Sequence, residues 1–79
     1  MKKIENSECL VGFGEFIKEG RKKRDMLQSE VADLVGITQP YYSLIERGMT
    51  NDRNLDLVLA LKICRALRLD MGDFINKYM

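Results

Sequence analysis

The chain contains no histidine, a single proline, Pro40, and only two cysteines, Cys9 and Cys64. Without histidine or a Cys-x-x-Cys spacing, neither a zinc site nor a disulfide framework is expected, and Cys64 reads as a small apolar core residue. No Gly-rich phosphate loop follows a strand pattern, and the chain is too short for its helices to enclose a substrate pocket. Catalysis would have to rest on stray carboxylates, so no catalytic residue, metal or cofactor is expected. Long apolar runs are also missing. Lys2 and Lys3 are followed by Glu5, Asn6, Ser7 and Glu8, so neither a secretory segment nor a membrane span is expected, and the expected location is the cytoplasm. Period-two alternation never lasts long enough for a strand, and no repeat or Pro/Gly/Ser linker divides the sequence.

What remains is a globular balance, 46% hydrophobic and 32% charged residues over 79 positions, enough for one modest core. A chain this short needs strong local helix propensity, an efficient core or a partner subunit. The formal net charge of +1 argues neither for nor against a polyanionic partner. Its distribution says more. Lys18, Arg21, Lys22, Lys23 and Arg24 stand against Glu19 alone, a basic patch that attracts phosphate or, equally, a solvated helix face.

Apolar residues recur at three and four spacing from Phe13 onward, which predicts an all-α domain of five helices over 13–79, preceded by an ambiguous extension, 1–12. The first helix is expected from about Phe13 to Arg24, with Phe13 and Ile17 on its inner face. A second, about Gln28 to Val35, stops at Gly36, the residue that best accepts a left-handed conformation past a helix end. Thr38 is the expected N-cap of the third, which tolerates Pro40 in its first turn and closes before Gly48. A polar loop, 49–54, leads to a fourth helix from Asp56 to Leu67 with Leu57, Ala60, Leu61, Cys64 and Leu67 inward. Asp70 caps the fifth, which carries Phe74, Ile75 and Tyr78.

Two short helices joined through one glycine-containing turn must cross closely. Ala32 is small where they meet, and Val31, Val35, Ile37, Tyr42 and Ile45 are apolar where they must face inward. The segment Gln28-Ser29-Glu30-Val31-Ala32-Asp33-Leu34-Val35-Gly36-Ile37-Thr38-Gln39, the opening Phe13-Gly14-Glu15-Phe16-Ile17-Lys18 and the closing Ser43-Leu44-Ile45-Glu46-Arg47-Gly48 resemble the lambda-repressor-like, Xre/Cro-type helix-turn-helix regulators. The resemblance covers most of Phe13 to Phe74. It implies sequence-specific double-stranded DNA as the partner, with the third helix in the major groove.

By that resemblance Gln28 matches a phosphate-holding position, and Gln39 one from which a side-chain amide can pair bidentately with adenine. Pro40, Tyr41 and Leu44 fill the other groove-facing positions, while Arg47, Thr50, Asn51 and the adjoining Arg53 lie nearer the phosphates. Plainer roles stand beside these: Gln39 as a polar first-turn residue, Tyr41 as surface cover, Leu44 packed on Tyr41. Arg21 and Glu46 match an ion pair that ties the first helix to the end of the third. Three features depart from the pattern. Leu27 replaces the usual Ser or Thr N-cap, Gly20 leaves volume for Phe16 or Met26 to fill, and the loop after the third helix is longer.

A homodimer on a palindromic operator is expected, with Leu59, Ile63, Met71 and Ile75 at its interface, because about 100° per residue places Leu59, Ile63 and Ala66 away from the expected inward stripe. Alternatively Ile4, Leu10 and Val11 fold back over that surface within a monomer. Two other functions stay open for the same fold: an antitoxin-type module that binds a protein partner, and an adaptor that never meets DNA.

Overall fold

The computed structural model describes residues 6–51 and 54–78, so Ile4 and Arg53 lie outside the described residues. Five helices follow one another: α1 (Asn6–Lys23), α2 (Gln28–Val35), α3 (Gln39–Glu46), α4 (Leu57–Ala66) and α5 (Met71–Tyr78). Helix α1 packs against α3 and α5, and α2 packs against α3 and α4. No described helix is long and apolar enough to cross a membrane.

Local chemistry sets most boundaries. Gly36 ends α2 at φ 79°, its N–H donating to the carbonyls of Ala32 and Asp33. Thr38 Oγ1 accepts from the Tyr41 N–H at 3.3 Å, and Pro40 sits in the first turn of α3, where a missing N–H costs no intrahelical bond. Asp56 and Asp70 serve α4 and α5 in the same manner, accepting from Leu59 N–H and Gly72 N–H at 2.8 Å each. Arg24 Nε donates to the Leu67 carbonyl at 2.6 Å, a cation satisfying the C-terminal end of α4.

Helix α1 already includes Asn6, seven residues before the expected Phe13. Leu10 and Val11 therefore do not fold back. They continue α1, with Leu10 against the core and Val11 exposed. Gly12 and Gly14 lower helix propensity here, but Gly14 lets α3 come close: a Cβ would lie 2.6 Å from the Ile45 carbonyl oxygen. The space at Gly20 is filled by Leu69, not by Phe16 or Met26. A Cβ there would meet Leu69 Cδ1 at 2.6 Å.

The core joins Phe13, Phe16 and Ile17 of α1 to Val31, Ala32 and Val35 of α2, Tyr42 and Ile45 of α3, Ile63, Cys64 and Leu67 around α4, and Phe74 of α5. Leu55, in the loop before α4, also belongs to it. Phe74 docks edge-on against Phe13, ring centroids 5.5 Å apart, which anchors α5 on α1. Burial pushes the Cys64 thiol up to about 11, as suits an inert apolar residue.

Helix α4 is rotated relative to the expected stripe. Ile63, expected at a dimer interface, is fully buried, while Leu57 and Leu61, expected inward, are exposed. Leu59 and Met71 are partly buried against the core, and Ile75 is exposed. Of the four interface residues, Ile63 is thereby withdrawn: a side chain with no accessible surface cannot meet a second subunit.

Candidate nucleic-acid interface

The outer surface of α3 is defined by what its inner surface must do. Tyr42 and Ile45 are fully buried, which fixes the rotation of the helix and leaves Gln39, Pro40 and Arg47 exposed. Ser43 and Leu44 are half-buried at the edge of this surface. Tyr41 is divided: its ring packs against the core, and burial together with the negative charge of Asp56 raises its hydroxyl pKa.

On the inner side of α3, at its last turn, Glu46 is only 5% exposed. Arg21 Nε donates to its Oε2 at 2.6 Å and Arg21 Nη2 to its Oε1 at 3.1 Å, a two-pronged pair between α1 and α3. The third guanidinium nitrogen, Nη1, donates to the Met26 carbonyl at 2.8 Å, so the same arginine holds the turn leading into α2. Burial works to raise the Glu46 pKa, but the Arg21 guanidinium, the Tyr42 hydroxyl and the Gln28 amide outweigh it and hold the carboxyl below its ordinary range. The Tyr42 hydroxyl lies buried beside this pair without a well-formed hydrogen bond of its own, and its pKa is raised by burial and by Glu46.

Gln28 opens α2 and faces the same carboxylate. Its Nε2 donates to Glu46 Oε1 at 3.0 Å, and its Oε1 accepts from Gln39 Nε2 at 3.4 Å. Arg21, Glu46, Gln28 and Gln39 are thus joined in one chain. The family pattern alone pointed to the Arg21–Glu46 pair, and no sequence signal pointed to the Gln28–Glu46 link that extends it. The Arg21–Met26 bond and the Arg24 cap of α4 were likewise missed, because a side chain's choice of backbone acceptor leaves no spacing to find.

The start of α2 is capped from one side only. Glu30 reaches back to accept from the Leu27 N–H at 2.8 Å, while the Leu27 side chain offers no acceptor to the first turn. After α3, Asn51 Oδ1 accepts from the Asn54 N–H at 3.0 Å and shapes the loop. The Thr50 hydroxyl is turned inward, buried and unpartnered, which removes its oxygen from the surface where a phosphate would meet it.

This geometry, two short helices crossing through a glycine turn with the second presented to solvent, defines a helix-turn-helix domain. The helix-turn-helix family model matches residues 17–74, and the chain belongs to that family of DNA-binding transcription regulators, of the lambda-repressor-like fold. Among solved structures, the restriction-modification controller protein C.AhdI from Aeromonas hydrophila is 32% identical, with a TM-score of 0.72 over 82% of this chain and 94% of that one. The clp gene regulator ClgR from C. glutamicum shares the fold, with a TM-score of 0.78 at 20% identity, covering 89% of this chain and 87% of that one. No curated protein matches the chain in sequence.

Proposed function

We propose that this protein binds a specific double-stranded DNA sequence and regulates transcription as a two-fold dimer on a palindromic operator. The observation that carries this is the exposed N-terminal end of α3: Gln39 and Pro40 stand in solvent, on a helix locked by the Thr38 cap and the buried Tyr42 and Ile45. Gln39, Pro40, Tyr41 and Leu44 face the bases, and Gln28, Arg47 and Asn51 lie nearer the phosphates. The exposed Lys22, Lys23 and Arg24 add salt-dependent attraction.

Apolar side chains left in water support the dimer. Leu57, Val58 and Leu61 of α4 and Ile75 of α5 are between 46% and 69% exposed, more apolar surface than so small a domain leaves wet without use. Leu59 and Met71, partly buried against the core, keep some surface for the same interface. To read a palindrome, the dimer must set its two α3 helices about 34 Å apart, one turn of DNA.

Selection of bound duplexes from a random pool tests the function, and an inverted repeat is expected. Gln39→Ala should then weaken binding to the selected site by about 1–3 kcal/mol while sparing scrambled DNA. Absence of any enriched sequence, or equal losses on both DNAs, would overturn base reading by Gln39. Sedimentation at micromolar concentration tests the dimer: Leu57→Asp with Leu61→Asp should give monomers, and a monomeric wild type that still binds its site tightly would remove the dimer face.

A further inference from the structure

We propose that the Glu46 carboxylate sets the hydrogen-bond polarity of the base-reading amide of Gln39, acting through Gln28. This rests on the assignment of Gln39 to the bases made above, and adds to it a positioning residue that has no contact with DNA.

An amide side chain has a donating and an accepting end, and in solvent nothing decides which way it points. Here a charge decides. Glu46 is held ionised by Arg21, and an ionised carboxylate only accepts. Gln28 must therefore turn Nε2 toward Glu46, as it does at 3.0 Å, which leaves Gln28 Oε1 facing α3. An oxygen there only accepts, so Gln39 must turn Nε2 toward Gln28, as it does at 3.4 Å. Two choices, each with two outcomes, are fixed by one buried charge.

The consequence falls on what Gln39 has left for DNA. One of its two Nε2 protons is used by Gln28, so it presents one N–H and its whole carbonyl oxygen. Adenine offers an acceptor at N7 and a donor at N6, and matches that pair. Guanine offers two acceptors, N7 and O6, and would set O6 against Gln39 Oε1. Were the chain reversed, with Gln28 donating to Gln39 Oε1, both Nε2 protons of Gln39 would be free and the preference for adenine would fall. The polarity of a buried ion pair is thus carried to the groove.

Glu46→Gln keeps the shape of the side chain but can show Gln28 either an oxygen or an NH2 group, so it releases the polarity. Gln28→Met removes the middle of the chain and leaves the Arg21–Glu46 pair intact, which keeps the test open should Glu46→Gln fail to fold. The base pair read by Gln39 is the one whose preference Gln39→Ala abolishes. At that pair, the affinity ratio of adenine over guanine duplexes should fall about fivefold or more in either variant, and no further in the double variant. In the free protein, both variants should shift the Gln39 side-chain amide resonances in 15N-resolved spectra. A purely structural Glu46 would lower the melting temperature while leaving ratio and resonances in place, and that result would overturn the proposal. A wild type that enriches no sequence would overturn base reading itself. The resonance measurement, which needs no DNA, would still decide for or against the polarity chain.

Discussion

The α2–α3 pair and the α4–α5 pair differ in apolar content, eight of 16 helical residues against twelve of 18, and they specify themselves in opposite ways. In α2–α3, apolar residues are interleaved with Ser29, Asp33, Gln39 and Ser43, so only one rotation buries Val31, Val35, Tyr42 and Ile45. In α4 the run Leu57-Val58-Leu59-Ala60-Leu61 is apolar on every side, and any rotation buries something. Tertiary contact must choose, and it chooses Ile63, Cys64 and Leu67. A helix with a clear polar face reports its own orientation, whereas one that is apolar nearly all round reports a second use for its surface.

The largest expected effect breaks this comparison if it fails. Ile63→Asp places an unpaired charge in the core and should unfold the domain at room temperature, a loss of about 4–5 kcal/mol or more. Leu61→Asp, two residues away on the exposed side, should change monomer stability by only about 0.5 kcal/mol. Urea titrations of the two variants measure it. Similar losses would mean that α4 is oriented by something other than the contacts described.

Next in size is the ion pair. Arg21→Ala leaves Glu46 buried without its main partner and should cost about 3 kcal/mol. The Arg21→Ala and Glu46→Ala effects should be non-additive in a thermal or urea cycle. The pair also predicts a direction with pH. The folded-state pKa of Glu46 lies below that of the unfolded chain, so the unfolded state binds the proton more readily. Its contribution is complete above about pH 4.3, the ordinary glutamate value, and is lost as pH falls from there through the lower folded value. Glu46→Gln should remove that part of the acid slope, and an unchanged slope would place the acid sensitivity elsewhere.

What could be read from sequence follows the same division. The limits of α2 and α3, the turn at Gly36, the cap at Thr38 and the inward Tyr42 were all legible, because each depends on residues within one or two turns of itself. The Arg21–Glu46 pair was legible only through the family pattern. The reach of α1 back to Asn6 was not, since Gly12 and Gly14 look unfavourable in a helix until the close approach of α3 is known. Nor was the burial of Leu55, a lone apolar residue in a polar stretch that shows no period, or the packing of the partly buried Leu69 over Gly20, which depends on how the end of α4 meets α1. Within the site, Gln28 was placed correctly at the head of α2, but its bond to Glu46 depends on how α1, α2 and α3 meet.

A smaller effect tests the turn. Gly36 adopts φ 79° with no atom within 4 Å of where a Cβ would be, so Gly36→Ala meets no clash and should cost only the left-handed backbone penalty, about 1–2 kcal/mol. Gly36→Asn should cost less, because asparagine tolerates that conformation better. Calorimetric melting of both variants distinguishes a backbone effect from a packing one, which would make the larger asparagine the worse of the two.

The smallest effect concerns Leu27, and it separates what the helix-turn-helix half does for stability from what it does for binding. Leu27 has the extended backbone of an N-cap, φ −82° and ψ 153°, and is 64% exposed, yet its side chain accepts nothing from the first turn of α2. Leu27→Ser would supply the missing oxygen and complete the box that Glu30 already half forms, at little hydrophobic cost because the leucine is mostly in water. Stability should rise by about 0.5–1 kcal/mol. The N–H groups that the serine would satisfy are also those a helix N-terminus offers to a phosphate. If α2 meets DNA through them, the gain in melting temperature should come with unchanged or weaker affinity for the selected site. A serine variant that is no more stable than the wild type would show that these N–H groups already have partners, and that the apolar cap is not a gap in the fold.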